Sequence, residues 1–151
     1  MNEKLTLEQR LQRLEDIEEI RKLKALYCKY ADVGWDGAEY SMDKWAELFT
    51  EDVVWDGDTA GRWEGREQLR PLGDKVTKFA IHYMVNPIIE VTGDSATGVW
   101  HGLVPMTTPN GKSLLVAGKY EEEYVRTPAG WRIRRLKFHT AFIVKSKADW
   151  V

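Results

Sequence analysis

Apolar positions recur at spacings of three and four from Leu7 to Tyr30, through Leu11, Leu14, Ile17, Ile20, Leu23, Leu26 and Tyr27. That period predicts one long helix. Thr6 and Gln9 form a capping-box pattern at its start, Ala31 continues it, and Gly34 is the expected stop. The run is long enough to bend near Asp16. A short second helix is expected from Met42 to Phe49, with Trp45, Leu48 and Phe49 as its apolar face. Asp52 to Asp56 reads as a strand followed by a glycine-rich turn. Residues 66–80 read as a third helix, with Pro71 in its first turns and Leu69, Leu72, Val76 and Phe79 facing inward. The pattern then changes to strands: Ile81 to Val91, Ala96 to Met106, Ser113 to Thr127 and Trp131 to Lys145. The turns between them (Thr92-Gly-Asp-Ser, Thr108-Pro-Asn-Gly, Pro128-Ala-Gly) are short enough to force antiparallel neighbours. A helical layer followed by an antiparallel sheet is the α+β plan. With no repeat, linker or low-complexity stretch, residues 1–151 are expected to form one domain.

Composition narrows the function classes. The net charge of −2, with acidic and basic residues interleaved as in Glu18, Glu19, Arg21 and Lys22, describes a solvated helix face and argues against a nucleic-acid binder. The opening Met1-Asn-Glu-Lys-Leu lacks the pattern of a signal peptide, and no apolar run is long enough to span a membrane. A cytoplasmic protein is expected. Cys28 is the single cysteine, which excludes an internal disulfide and fits a reducing compartment. The seven tryptophans fit either core and interface packing or an aromatic-walled ligand pocket.

The candidate chemistry centres on His82, a histidine in the otherwise apolar stretch Phe79-Ala-Ile-His-Tyr-Met-Val. Such a group suits a general base working near neutral pH. Strand alternation puts Met84 and Asn86 on its face. His82, His101 and His139 have no metal-ligand spacing, and there is no phosphate-cradling loop or Gly-x-Ser-x-Gly elbow. No metal and no cofactor are expected.

The segments Ile20 to Asp32, Trp45 to Asp56, Glu64 to Arg70, His82 to Pro87, Ala96 to Trp100, and Tyr120 to Tyr124 with Gly130-Trp131 resemble, in order, the SnoaL-like branch of the NTF2-like superfamily. The resemblance covers nearly the whole chain. It implies a curved antiparallel sheet wrapping helices into a cone with a pocket at its open end, and a homodimer or homotrimer. The family includes dehydratases acting on scytalone and on bile-acid intermediates, a dehydrochlorinase, polyketide cyclases, steroid isomerases and members that only bind or scaffold. The resemblance places a catalytic histidine at His82. Its carboxylate partner is Asp32, five residues after Tyr27, or Asp36. A regular helix would turn Asp32 about 140° away from Tyr27. Tyr27 and Tyr30 are candidate donors to a substrate oxygen. Trp55, Trp100, Met84, Asn86 and His139 are expected against the substrate, with His101 facing outward. By count, Val104 stands where bile-acid dehydratases carry an additional acid. The expected function is a cofactor-independent dehydratase-type lyase acting on a hydrophobic polycyclic or aromatic substrate. An isomerase or cyclase using the same pocket, and a non-catalytic binding or assembly domain, remain the alternatives.

Overall fold

The capping box at the start of the first helix forms in both directions. Thr6 Oγ1 accepts from Gln9 N at 3.2 Å, and Gln9 Oε1 accepts from Thr6 N at 2.9 Å. Helix α1 then runs unbroken over Leu7–Ala31 in this computed structural model, which describes residues 5–147 and residue 150. The reading of the chain's start falls on residues 1–4, outside the described ones. Burial along α1 begins at Asp16. Leu7, Leu11 and Leu14 are exposed, so the first turns carry no core residue.

Helix α2 is only Met42–Ala46, capped by the Ser41 hydroxyl. Phe49, expected at its end, instead opens strand β1 (Phe49–Asp56). It pairs there with Ile133, and a fully buried extended residue gains more from the sheet than from another helical turn. The turn after β1 holds a short 3-10 segment, Asp58–Ala60, and a strand absent from the sequence reading, β2 (Arg62–Glu64). The helix expected over 66–80 is two pieces, α3 (Arg66–Leu69) and α4 (Leu72–Val76). Pro71 lacks the amide hydrogen a continuous helix needs. From Thr77 the backbone is extended, and Lys78 N donates to Thr107 O at 2.7 Å. Phe79–Ala80 is thus strand β3 rather than helix.

The remaining strands are β4 (Tyr83–Thr92), β5 (Ser95–Thr107), β6 (Ser113–Thr127) and β7 (Gly130–Lys145). Their order is β2-β1-β7-β6-β5, with β3 and β4 both pairing with β5. Every pairing is antiparallel except β1 with β7, which is parallel. The sheet is curved and unclosed, and the helices pack against it. Glycines on its inner face make room for rings. A Cβ at Gly98 would lie 2.8 Å from the Tyr124 ring, and one at Gly102 would lie 2.6 Å from Tyr120. Against this face α1 buries Ile20, Leu23 and Tyr27, beside Phe49, Ile133 and Leu136. Among the described residues no helix is long and apolar enough to cross a membrane.

Candidate active site

The end of α1 builds the site. Asp32 is the C-cap residue, with ψ at 137°, so the chain leaves helical geometry at the residue that a regular helix would have turned away from Tyr27. The next residues run beside the segment from Ala80 to His82. Val33 N donates to Ala80 O at 3.1 Å, and Gly34 packs where a Cβ would come within 2.6 Å of Phe79 and Ile81. The Asp32 carboxylate, almost fully buried, then receives three N–H groups: His82 N at 3.0 Å, His82 Nδ1 at 2.7 Å and Trp35 Nε1 at 3.0 Å. Trp35 was not singled out from the sequence. Its position, three residues after Asp32 and before the second helix, was the available signal.

This arrangement decides the histidine tautomer. With Nδ1–H donated to Asp32, Nε2 is the ring nitrogen left without a hydrogen-bond partner among the described residues. His82 sits in the break between β3 and β4 rather than within a strand. It borders a hollow of about 290 Å³ whose wall is mostly apolar, with Val104, Met106, Val116 and Phe138 among its lining. Tyr27, Tyr120 and Trp55 complete that wall. The Tyr27 ring meets the imidazole edge-on, with centroids 5.9 Å apart. Burial pushes the Tyr27 and Tyr120 hydroxyls well above the ordinary phenol range, so both stay protonated donors at neutral pH. Burial likewise pushes the Cys28 thiol up to about 12.

Behind the tyrosines lies a charge pair that the sequence reading missed. Lys24 and Glu122 form a salt bridge with side chains 1% and 0% exposed. The Lys24 ammonium also stands 4.2 Å from the Tyr27 ring centroid and 4.1 Å from that of Tyr120. Glu122 accepts in addition from the Tyr124 hydroxyl, which accepts from Trp100 Nε1 at 2.9 Å. The signals were present. Lys24 interrupts the apolar stripe Ile20, Tyr27 at helical spacing, and Glu122 alternates inward between Tyr120 and Tyr124.

Other expected site residues fall elsewhere. Asp36 is exposed in the loop after α1, while Asp32 holds the contact with His82. Tyr30 packs beside the core under Lys44 and does not line the hollow. Met84 and Trp100 border a separate open cleft that His82 also touches. Asn86 was expected on the His82 face. A bulge between Val85 and Ile88 gives it a positive φ of 53° and leaves it exposed, 3.4 Å from His101 Nδ1. His139 was expected at the pocket floor. Alternation along β7 gives that place to Phe138, and His139 pairs instead with Glu121 at 2.9 Å, where both are partly exposed. Trp55 and Tyr27 do line the hollow, and Val104 contributes an apolar wall. Among the described residues no group of three His, Cys, Asp or Glu side chains is placed to hold a metal ion.

Comparisons with known proteins agree with this architecture. The model of the SnoaL-like domain matches residues 12–137. No curated protein matches the sequence. Among solved structures, an NTF2-like protein with a cystatin-like fold from Novosphingobium aromaticivorans is 28% identical, with 93% of this chain and 92% of that chain covered and a TM-score of 0.74. A hexachlorocyclohexane dehydrochlorinase, LinA-type3 from Novosphingobium barchaimii LL02, is 22% identical, with 91% and 94% covered and a TM-score of 0.77. A scytalone dehydratase-like protein from Novosphingobium aromaticivorans DSM 12444 is 18% identical, with 89% and 90% covered and a TM-score of 0.73. The last two likenesses are of fold. The family match spans most of the chain, and this protein belongs to the SnoaL-like domain family.

Proposed function

We propose that this protein is a lyase of the dehydratase type, acting without a cofactor on a hydrophobic ring substrate held in the hollow. The observation that carries the reading is the Asp32–His82 contact at 2.7 Å, on a histidine that lines the apolar hollow and whose Nε2 has no partner among the described residues. In the proposed step, His82 Nε2 takes a proton from a carbon next to a carbonyl or other activated ring position. The electron pair of that C–H bond forms a C=C bond, and the C–O bond to the leaving hydroxyl breaks. The protonated imidazole returns its proton to the departing oxygen, so water leaves and the base is restored. Asp32 holds the tautomer and stabilises the imidazolium, as carboxylates do for other paired histidines. The apolar wall strengthens these electrostatic effects by limiting water. The names of two fold neighbours, a dehydrochlorinase and a scytalone dehydratase-like protein, also describe eliminations.

The test is a panel of cyclic hydroxy ketones and cyclic alcohols of one to four rings, followed by the absorbance of the new conjugated double bond. Turnover is expected for at least one member. His82→Gln should lower it by about 10²- to 10⁴-fold, the range for a lost general base. Turnover that survives His82→Gln unchanged would refute the reading. Tight binding of panel members without turnover in the wild type would favour a binding domain.

A further inference from the structure

The first turns of α1 carry a leucine stripe that the rest of the fold leaves uncovered. Leu7, Leu11 and Leu14 are 74%, 55% and 64% exposed. At about 100° per residue they share an arc of roughly 60° on the side of the helix opposite Ile20, Leu23 and Tyr27, which face the core. The domain's own core therefore cannot cover them. A contiguous apolar patch rimmed by polar residues marks a contact surface. The helix is already formed here and capped by Thr6 and Gln9, so a partner need not nucleate it. Two of the three leucines precede residue 12, where the match to the SnoaL-like domain begins. The stripe thus lies largely outside what the family match covers.

The spacing of four and then three is that of a coiled-coil seam, with Leu7 and Leu14 at d positions and Leu11 at the a position between them. Arg10 flanks the seam on one side, at g, and Glu8 and Glu15 flank it on the other, at e. Among the described residues neither Arg10 nor Glu15 has an ion-pair partner. On the Arg10 side runs a groove lined by Leu5, Arg10, Arg13, Leu14 and Ile17. The last four have the i, i+3, i+4, i+7 spacing of a hole that receives one side chain from a facing helix. We infer that this stripe docks against the same stripe of a second copy of the chain, with the two helices parallel. Parallel pairing sets Arg10 of each copy opposite Glu15 of the other, whereas antiparallel pairing centred on Leu11 would set Glu8 against Glu15. Because each seam faces away from its own core, the two domains fall on opposite sides of the paired helices. Flanks of both signs give an anionic membrane no net attraction. The seam ends at Glu18, which takes the next a position with its side chain 76% exposed. Three leucine layers make a small contact, of the weak and reversible class.

Sedimentation equilibrium on the full chain tests this without any substrate. The average mass should rise above its dilute value as the protein is concentrated from about 10 μM to 1 mM, the range open to a small interface. Leu11→Asp should weaken the association at least about tenfold and leave the urea midpoint in place, because Leu11 is exposed. Arg10→Glu should weaken it severalfold, since two exposed pairs become repulsive at once, and Arg10→Glu combined with Glu15→Arg should restore it. Unspecific apolar contact would not respond to that exchange. Under mild oxidation Leu7→Cys should form a disulfide with itself faster than Gln12→Cys, which lies off the seam, because parallel helices bring like positions together. A mass independent of concentration over this range, association that Leu11→Asp leaves unchanged, or no recovery in the exchanged double variant would overturn the inference. So would a Leu7→Cys protein that cross-links only when mixed with Leu14→Cys. Binding to phosphatidylcholine–phosphatidylglycerol vesicles that Leu11→Asp abolishes, with no association in solution, would overturn it in favour of a membrane surface.

Discussion

Removing the charge from Lys24 should be far more damaging than removing the whole ion pair. Lys24 and Glu122 side chains are 1% and 0% exposed, so the carboxylate left behind in Lys24→Met has no solvent and, among the described residues, no second cation to turn to. Breaking one side of such a pair typically costs about 3–5 kcal/mol, whereas replacing both charges by neutral groups of similar volume is often close to neutral. Methionine keeps the stem volume and can rest its sulfur on the Tyr27 and Tyr120 rings, which lie 4.2 and 4.1 Å from the ammonium. The lost packing is therefore small, and the stranded charge dominates. For a chain of this length each kcal/mol corresponds to roughly 2–4 °C, so Lys24→Met should melt about 6–20 °C below wild type. In the double variant with Glu122→Gln, the amide oxygen can still accept from Tyr124, which donates to Glu122 in the wild type. At least half of the loss should be recovered. The assay is a double-mutant cycle by urea unfolding, read as the coupling between the two positions. The reasoning is refuted if Lys24→Met costs under about 1 kcal/mol, or if the double variant loses as much as the two singles added together.

Other consequences can be checked quickly. Gly57→Ala puts a Cβ within 2.4 Å of the Trp55 ring and should destabilise by about 1–3 kcal/mol, read as a lower urea midpoint; an unchanged midpoint would mean that Trp55 is not fixed there. Burial alone would raise the Asp16 pKa, but hydrogen bonds from Arg126, Trp131 and Gln12 outweigh it and hold the carboxyl below its ordinary value. That contribution is present above the unfolded pKa and is lost as pH falls through the lower folded pKa, so Asp16→Asn should cost about 1–2 kcal/mol at pH 7 and progressively less below about pH 4 in paired melts. With its pKa pushed from 9.0 to about 12, the Cys28 thiol should react with iodoacetamide about a thousandfold more slowly in native protein at pH 8 than in guanidinium; equal rates would place the thiol in solvent.

The antiparallel hairpin neighbours from β4 to β7 and the long helix were legible because both are written in strong local patterns. The α1 capping box and its three-and-four spacing leave little choice, and the turns at Gly93, Gly111 and Gly130 all carry the positive φ that glycine admits readily. The misreadings share one cause. Phe49, Phe79 and Ala80 sit at helical spacing from their neighbours, yet each pairs with a distant strand: Ile133 for Phe49, and Thr107 and Met106 for the other two. Local periodicity does not register a partner that lies many residues away, and tertiary pairing overrode it. Asn86 was misread for a related reason. Alternation assumes an even ladder, and a bulge beside Pro87 inverts the faces on either side of it.

The site was half legible for a physical reason of its own. Tyr27, Asp32 and His82 have chemistry visible in their side chains, but which aspartate meets the histidine depends on where α1 stops. It stops at Asp32 because the chain must turn to lie along Ala80, where Val33 N finds its acceptor. Asp36, four residues later, has already left for the loop. Lys24 and Glu122 were passed over because charged residues in a helix or strand are usually solvated. The informative feature was their position, each on an apolar face with aromatic neighbours, where only mutual pairing makes burial tolerable. Under the proposed chemistry, that pairing fixes the rings of Tyr27 and Tyr120, and Asp32 fixes the imidazole. A base and a donor are thereby held on one wall before any substrate arrives, leaving little to reorganise as charge moves from carbon to oxygen.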